Sequence, residues 1–455
     1  MEQENGRVMS AKSFTIWALQ LSLPIMLQNL IDTLVNSADT IMLGYVDQTA
    51  MAASSLANEF VFVLSCFYYG LTTGTSVMCA QYYGKGDKKT LDRIIGLALK
   101  VTILISILFF LLGFLFPGTI MRIFTNSEPT IEAGITYLRV VSISFLFNGI
   151  SKVYIGAIRS IGKVVFPSVC CVVSLATNVF FNAAFIFGFG FFPKLGLIGV
   201  AVGTVIARAV ETCLCICYSC AAKEAKIRVK YLFSKAGVLF NDFMKICLPS
   251  VGNDIIWALA TSVFAIILGH IGDDIVAANA VAIMIVNIGA IATRGFANAT
   301  TIIIGQTLGK NEKETAKIYA KRMILLTLAV AVLGCILMII LRPFILKFYA
   351  DKLTETALSY LGIMIFMTTY RLIGEGINTC LICGCFRGGG DTRYGLIMDI
   401  IMMWCVALPI MAIAAYVLKL PPIWVYFAMT LDELEKMPFI FIRYKKYKWL
   451  NNITR

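Results

Sequence analysis

Leu23–Gly44 reads LPIMLQNLIDTLVNSADTIMLG, an apolar stretch long enough to cross a membrane as a helix. Four polar residues recur in it at spacings of three, four and three: Asn29, Asp32, Asn36 and Asp39. These spacings predict that the four side chains lie on one stripe of the helix. A charged side chain in the middle of the bilayer costs roughly 2.5–3.5 kcal/mol on insertion scales. The stripe is therefore expected to face a cavity or a partner rather than lipid.

Pro24 lies near the start of the same stretch. It has no N–H to donate to the Gln20 carbonyl, which predicts a bend in the helix. A bent membrane helix with buried carboxylates indicates that a metal cation or a proton passes close to it.

The overall composition excludes a soluble protein. Of the 455 residues, 59% are hydrophobic and only 14% are charged, which is typical of a chain that crosses the membrane many times. The net charge of +13 does not indicate nucleic-acid binding, because the basic residues concentrate in alternate loops. We expect the lipid bilayer, and no nucleic acid, among the partners of this protein.

Apolar runs of spanning length predict an all-α membrane protein with twelve transmembrane helices. The runs fall at 14–43, 51–82, 94–116, 135–158, 164–190, 195–222, 243–269, 275–307, 318–341, 357–386, 393–418 and 422–443. Lysine and arginine are frequent after even-numbered runs and at both termini, and sparse after odd-numbered runs. The positive-inside rule then places both termini in the cytoplasm. We expect a multi-pass protein of the inner (plasma) membrane.

The second half of the chain repeats the first. A single ungapped shift aligns Pro24 with Pro249, and AQYYGKGDKKT at 80–90 with GQTLGKNEKET at 305–315. Two pseudo-symmetric halves of six spans each are typical of transporters that work by alternating access, with the substrate path between the lobes. The predicted domains are an N-terminal lobe over 1–222, a basic cytoplasmic linker over 223–242 and a C-terminal lobe over 243–455.

The two halves differ in charge although their scaffold repeats. Asp39 aligns with Phe264, and Asp32 aligns with Trp257. Any cation site is therefore expected in one lobe only.

Other polar residues lie inside the predicted spans. They are Glu59 on the second span, Lys152 on the fourth, Asn178 and Asn182 on the fifth, Thr204, Arg208 and Glu211 on the sixth, Arg294 and Asn298 on the eighth, Arg371, Glu375 and Asn378 on the tenth, and Asp399 on the eleventh. The pairs Arg208–Glu211 and Arg371–Glu375 have the spacing of intrahelical ion pairs, which make a span cheaper to insert. Alternatively, these residues line the aqueous cleft.

The two asparagines of the fifth span lie one turn apart. On their own they favour hydrogen bonding between helices. Together with Asp39 and Thr204 they could supply the oxygen ligands that Na⁺ prefers. An isolated Asp39 in an apolar pocket would instead suit proton coupling.

Catalytic and metal-binding chemistry has little support. Most of the 14 cysteines lie in apolar runs, where they act as small packing residues. The single histidine, His270, cannot build a triad or a metal cluster. We therefore expect no enzyme, no resident metal and no cofactor beyond transported Na⁺ or H⁺.

Several motifs resemble one transporter family along nearly the whole chain. They are the LP…D…G pattern of the first span, the AQYYGKGD loop, TNVFFNAAFIFGFGFFPKLGLIGVAVGTVIAR at 177–208, the FRGGGDTR loop and the basic RYKKYKW tail. The chain is similar to bacterial transporters of the multidrug and toxic compound extrusion (MATE) family. The resemblance implies an antiporter in which inward flow of Na⁺ or H⁺ drives the export of organic, often cationic, compounds.

The resemblance also implies roles for individual residues. Asp39 resembles the coupling carboxylate of the N-terminal lobe, and Pro24 resembles the proline at which the first span bends. The positions that complete the cation site in one branch correspond to Asn178, Asn182 and Thr204. Asn182 stands where that branch often has an aspartate.

A second branch uses a glutamate on the seventh span and an aspartate on the tenth. Trp257 and Gly376 stand near these two positions, and Glu375 is adjacent to the second. We expect the substrate cleft to be lined by Asp32, Asn36, Glu59, Glu211, Arg294, Arg371 and Glu375.

The sequence thus predicts a monomeric, cation-coupled exporter of small amphiphilic or cationic compounds. The alternative is a flippase for a lipid-linked precursor, since related folds carry out that reaction. It requires a large cationic cleft for a pyrophosphate, which Arg208, Arg294 and Arg371 could supply. A membrane-embedded enzyme would need a catalytic cluster at one membrane face, and the sequence offers none.

Overall fold

The computed structural model of the protein describes residues 8–43, 47–189, 192–234 and 237–454. The side chains at 36–38, 40 and 41 lie outside this description. Asn36, predicted above to line the cleft, therefore falls outside the described side chains. Residues 235 and 236 of the predicted linker also lie outside the described residues.

Seventeen α-helices follow one another along the described residues. They are α1 (Ala11–Leu43), α2 (Gln48–Lys85), α3 (Lys88–Leu115), α4 (Pro117–Phe124), α5 (Glu128–Ser142), α6 (Ser144–Ser160), α7 (Val165–Phe187), α8 (Leu197–Ala221), α9 (Val229–Phe233), α10 (Val238–Gly269), α11 (Asp273–Gly309), α12 (Lys313–Tyr349), α13 (Glu355–Thr379), α14 (Thr392–Asp399), α15 (Leu408–Ala412), α16 (Pro422–Thr430) and α17 (Asp432–Lys445). Three π-helical segments continue α13, α14 and α15 at Cys380–Phe386, Ile400–Ala407 and Ile413–Val417.

The long helices match the apolar runs of the sequence. Ten helical segments of the described chain are long and apolar enough to cross a membrane, and α5 with α6 forms an eleventh that is bent by 47°. The run at 422–443 is divided between α16 and α17. Its second part begins with DELEK, so charged side chains enter the last predicted span.

Side-chain caps explain where several of these helices begin. Asp47 accepts a hydrogen bond from the Ala50 N–H at 2.6 Å, and Asp87 accepts one from the Thr90 N–H at 3.0 Å. Each carboxylate satisfies an N–H that has no partner within its own helix. Gly86 ends α2 in the left-handed region with φ of 84°, which lets the chain turn directly into α3.

The chain forms two compact units. Unit 1 contains Met1–Met26 and Gly252–Arg455, and unit 2 contains Leu27–Val251. Both boundaries fall inside continuous helices, one shortly after Pro24 in α1 and the other shortly after Pro249 in α10. The shift that aligns the two prolines also aligns the two boundaries, so the units follow the internal repeat. The lobe limits at 222 and 243 stay a prediction.

Equivalent glycines pack against the two proline-containing helices. In unit 2, a Cβ added to Gly70 would lie 2.6 Å from the Val251 Cα. In unit 1, a Cβ added to Gly295 would lie 3.4 Å from the Met26 Cα. The repeat relates each glycine, and each contact partner, to its counterpart in the other half. A small residue is therefore required at the same place in both halves.

The first part of α1 is fixed to the other helices of unit 1. Phe14 stacks on Tyr319 of α12 with a ring-centroid distance of 4.7 Å. Arg322 donates a hydrogen bond to the Met9 carbonyl at 2.7 Å. These contacts tie the start of the described chain to α12.

Candidate cation-coupling site

Four side chains from three helices form one hydrogen-bonded chain in unit 2. The Asn182 Nδ2 atom donates to Asp39 Oδ1 at 2.6 Å and lies 3.3 Å from Asn178 Oδ1. Asn178 in turn lies 3.4 Å from the Thr204 hydroxyl. The structure therefore brings together the four residues that the resemblance assigns to one cation site.

The helices explain why these side chains meet. Asn178 and Asn182 are one turn apart on α7, so they lie on one face. Gly203 of α8 packs directly against the Asn182 side chain, and only a residue without a Cβ fits there. This close approach brings Thr204, the next residue of α8, to Asn178.

The two asparagines of this hydrogen-bonded chain are almost completely shielded from solvent. Asn178 is 2% exposed and Asn182 is fully buried. Among the described residues, no donor faces the Asn182 Oδ1 atom. A free amide oxygen beside a carboxylate is suited to hold a monovalent cation or to share a proton with the carboxylate.

Tyr137 of α5 also belongs to this neighbourhood, although nothing in the sequence distinguished it. It is 2% exposed, and the Asp39 charge acts on its hydroxyl group. In an apolar run, no sequence pattern distinguishes a functional tyrosine from one that only packs in the core. The sequence therefore could not have identified Tyr137.

Asp32 lies two turns before Asp39 on α1 and pairs with Lys152 of α6. The Lys152 Nζ atom lies 3.0 and 2.8 Å from the two carboxylate oxygens of Asp32. Both side chains keep partial exposure, 30% for Asp32 and 21% for Lys152. The ammonium group neutralises this carboxylate, so Asp32 and Asp39 have different surroundings on one helix.

Glu211 forms the intrahelical pair predicted from its spacing. The Arg208 NH1 atom lies 2.7 Å from Glu211 Oε2, and the Ser174 hydroxyl donates to the same oxygen at 3.1 Å. Glu211 is 1% exposed. Glu59, by contrast, is exposed on α2.

The three predicted cleft residues of unit 1 are arranged differently. Arg294 of α11 pairs with Glu375 of α13 at 3.4 Å. The expected intrahelical pair between Arg371 and Glu375 is not formed within 4.0 Å in the described chain. Glu375 instead pairs across helices, because α11 packs beside α13 and offers a basic partner. Whether these residues line a substrate path stays a prediction.

A second charged cluster lies in unit 1, and it joins Asp399 and Asn378, two of the polar residues found inside the predicted spans, to charges of α17 that were not predicted to take part in a site. The Lys436 Nζ atom of α17 lies 3.1 Å from Asp399, 3.7 Å from Asp432 and 3.8 Å from Glu433. Asn378 of α13 donates to the Glu433 side chain at 2.7 Å. The signal was present as DELEK, a group of acids and a lysine within an otherwise apolar run.

The described part of the chain contains no group of three or more histidine, cysteine or acidic side chains arranged to hold a metal ion.

Comparison with known families gives a match on both halves. The MatE family profile matches residues 24–184 and 249–413, which together make up more than half of the chain. The two matches begin at Pro24 and Pro249, the equivalent prolines of the internal repeat. The repeat is therefore a duplication of the family unit.

Related proteins match along nearly the whole chain. The "Probable multidrug resistance protein NorM" of Thermotoga maritima is 23% identical, over 95% of this chain and 92% of its own length. The "Uncharacterized transporter YisQ" of Bacillus subtilis is 21% identical, over 96% of this chain and 95% of its own length.

Solved structures share the fold. A MATE crystal structure described as the straight conformation superimposes with a TM-score of 0.85 at 19% identity, covering 95% of this chain and 96% of that one. An outward-facing multidrug resistance MATE family transporter of the MOP superfamily gives 0.86 at 18% identity, covering 98% and 100%. These likenesses confirm the predicted all-α membrane fold of twelve spans in two related halves.

Proposed function

Because this chain belongs to the MATE family of membrane transporters, we propose that it exports small organic compounds in exchange for Na⁺ or H⁺. Two observations support the proposal. Relatives that match most of the chain are named probable multidrug resistance proteins. The hydrogen-bonded chain around Asp39 provides a buried carboxylate with a free amide oxygen beside it among the described residues.

The Asp39–Asn182 contact is the observation that carries the coupling part of the proposal. The amide N–H of Asn182 stabilises the ionised carboxylate through a charge-assisted hydrogen bond. When a cation or proton binds, the negative charge is neutralised and this bond weakens. The helix contacts between α1 and α7 therefore respond to the occupancy of the site.

Coupling requires that cation and substrate stabilise different conformations. A ligand shifts a conformational equilibrium only by the difference between its affinities for the two states. We propose that cation binding at Asp39 favours the state that releases substrate. The organic compound favours the state that has lost the coupling ion. An ethidium-like cation serves as the experimental probe for this compound.

The remaining assignments belong to the same proposal. The protein works as a monomer in the inner membrane, with both termini in the cytoplasm, as the loop charges indicate. Within unit 2, Asp32 retains some exposure and contacts the substrate. The lipid-linked precursor flippase gains no support from the relatives, whose names describe drug resistance or an uncharacterised transporter.

The test is dye efflux from membrane vesicles under separately imposed Na⁺ and H⁺ gradients. Asp39→Asn should abolish ion-driven efflux while the protein still inserts and remains monodisperse. Asp351→Asn makes the same chemical change at an exposed position after α12 and should transport normally. Undiminished transport by Asp39→Asn would remove this residue from the mechanism. Competition by lipid-linked sugars, but not by organic cations, would favour the flippase.

A further inference from the structure

The buried cluster of unit 1 has an imbalance of charge. Arg387 lies 3.3 Å from Asp254, so these two side chains neutralise each other. The rest of the cluster has three carboxylates, which belong to Asp399, Asp432 and Glu433. Among the described residues, only Lys436 and Arg371 supply positive charge close to Asp432. The cluster is therefore one positive charge short in buried surroundings, where uncompensated charge is costly.

All three carboxylates are shielded from solvent. Asp432 is 2% exposed, and Asp399 and Glu433 are each 7% exposed. Lys436 is 3% exposed. Little solvent therefore reaches the three carboxylates to offset the missing positive charge.

Hydrogen bonds distinguish Asp432 from the other two carboxylates. Asp399 accepts a hydrogen bond from Asn253 at 2.5 Å and lies 3.1 Å from the Lys436 ammonium group. Glu433 accepts a hydrogen bond from Asn378 at 2.7 Å. These donors favour the ionised form of both groups.

Asp432 has no comparable support among the described residues. Its Oδ2 atom is 3.7 Å from the Lys436 Nζ atom, which is beyond a hydrogen bond. In the same part of the chain, no donor faces its Oδ1 atom, and none faces the Oδ1 atom of the buried Asn378. Two unpartnered oxygens therefore remain in a cluster that lacks one positive charge.

We propose that Asp432 is a second proton-binding group of this transporter, with Lys436 as its fixed counter-charge. The cluster takes up one proton at the Asp432 carboxyl and becomes neutral. A proton suits the cluster, because its excess negative charge is a single unit and the Asp432 Oδ1 atom, which no donor faces among the described residues, can carry the proton. The inference goes beyond the proposed function, since it concerns unit 1 and does not depend on Asp39.

Several elements contribute to the surroundings of Asp432, and the π-helical segment Cys380–Phe386, which also packs on α17, carries the thiols of Cys380, Cys383 and Cys385. Glu433 and Lys436 lie on α17 itself, and Asp399 ends α14. The groups that act on this carboxyl from α13 are Tyr370, Arg371 and Glu375, of which Glu375 is paired with Arg294 of α11. The Tyr426 hydroxyl of α16 interacts electrostatically with Arg371.

The experiment is a pH titration of the full purified chain followed by infrared spectroscopy of the protonated carboxyl band. In an Asp39→Asn background, which removes the other proposed proton-binding carboxyl, the protein should show a titrating carboxyl signal that is lost when Asp432→Asn is added. Asp351→Asn removes an exposed acid that forms no ion pair within 4.0 Å in the described chain and should keep the signal. A signal that persists unchanged once Asp432→Asn is added would overturn the proposal.

A second measurement needs no variant at this position. A hydrophobic carbodiimide modifies protonated carboxyls in apolar surroundings, and peptide mass spectrometry locates the modification. We expect modification of Asp432 that declines as the pH rises. Modification of Asp399 or Glu433 instead would contradict the assignment. This measurement can also be made in Asp39→Asn protein, so a failure of ion-driven efflux does not affect the outcome of either experiment.

Discussion

The Asn182 side-chain nitrogen lies 2.6 Å from Oδ1 of Asp39, and the two residues are 143 positions apart in the chain. This contact joins α1 to α7 at the point where a carboxylate is buried in the membrane. A hydrogen bond to a charged group contributes about 1.5–3 kcal/mol. It is therefore strong enough to influence both the ionisation of Asp39 and the packing of the two helices.

Asn182→Leu should weaken Na⁺ binding, because the site loses the free Asn182 amide oxygen, and should strengthen proton binding, because Asp39 loses the donor that stabilises its ionised form. A loss of about 1.5–3 kcal/mol corresponds to roughly a 10- to 100-fold change in an equilibrium constant. The measurement is the cation concentration that gives half-maximal efflux. Asn287→Leu makes the same change at an exposed position of α11 and serves as the control. An unchanged half-maximal concentration in Asn182→Leu would show that the contact has no role in cation binding.

Lys152→Met should destabilise the protein, because Asp32 keeps its charge without a partner. Breaking a buried pair costs about 3–5 kcal/mol, and an exposed pair contributes about 1 kcal/mol or less. The partial exposure of both side chains places this pair between the two cases. The thermal unfolding temperature in detergent measures the effect. The double variant Asp32→Asn with Lys152→Met should recover most of the loss, and failure to recover would mean that Lys152 acts through other contacts.

Lys436→Met should be more damaging than Lys152→Met, since Lys436 is 3% exposed and faces three carboxylates. A loss of about 3–5 kcal/mol is expected for an uncompensated buried charge. Lys445→Met, at an exposed position of the same helix, should leave the unfolding temperature unchanged. Equal stability of Lys436→Met and Lys445→Met would argue against a buried charge cluster.

The two equivalent glycines should respond differently to substitution. Gly70→Ala places a methyl group against the backbone of Val251, which cannot move without shifting α10. Gly295→Ala meets mainly the flexible side chain of Met26. Overpacking costs about 1–3 kcal/mol, and we expect the larger loss of unfolding temperature for Gly70→Ala.

Gly269→Ala is the matched control for both glycine variants, because nothing in the described chain lies within 4 Å of a Cβ at that position. It should be neutral or slightly stabilising, as alanine favours a helix over glycine. A larger effect of Gly295→Ala than of Gly70→Ala would contradict the packing described for the two units.

Glu224 gives a pH-dependent prediction outside the spans. The Lys88 ammonium group, 2.6 Å away, lowers the pKa of the Glu224 carboxyl below its ordinary value, and Lys163 adds to the effect. A lowered folded-state pKa contributes stability above the unfolded pKa of about 4.3, and this contribution is lost as the pH falls through the folded pKa. The difference in unfolding temperature between wild type and Glu224→Gln should therefore disappear in acid. A difference that grows as the pH falls would reverse the assigned sign.

Hydrophobic runs and internal alignment predicted the helices of this protein well, because lipid imposes long apolar segments. The residue types of Asp39, Asn178, Asn182 and Thr204 indicated a candidate set of oxygen ligands, and resemblance to a family assigned these four residues to one site. Spacing placed Asn178 and Asn182 on one face of α7, but it could not say which helix that face meets. Their contact with α1 depends on tertiary packing.

The partner of Glu375 shows the limit of reasoning from spacing. Arg371 stands four residues before it on the same helix, yet Glu375 pairs with Arg294 of α11. The rotation of α13 about its own axis determines which of the two partners Glu375 reaches. The spacing of residues along the chain does not predict that rotation. The cluster around Lys436 was missed for a related reason. Its charges lie near the end of the chain, where a polar helix end is the ordinary interpretation.

The unit boundaries inside α1 and α10 have a consequence for biosynthesis. The first turns of α1 leave the ribosome early, but their packing partners Gly295 and Tyr319 are synthesised only after the whole of unit 2. During that interval the N-terminal segment must wait in the bilayer or associate with insertion factors. Translation order, rather than helix stability alone, therefore sets when the assembly of unit 1 can be completed.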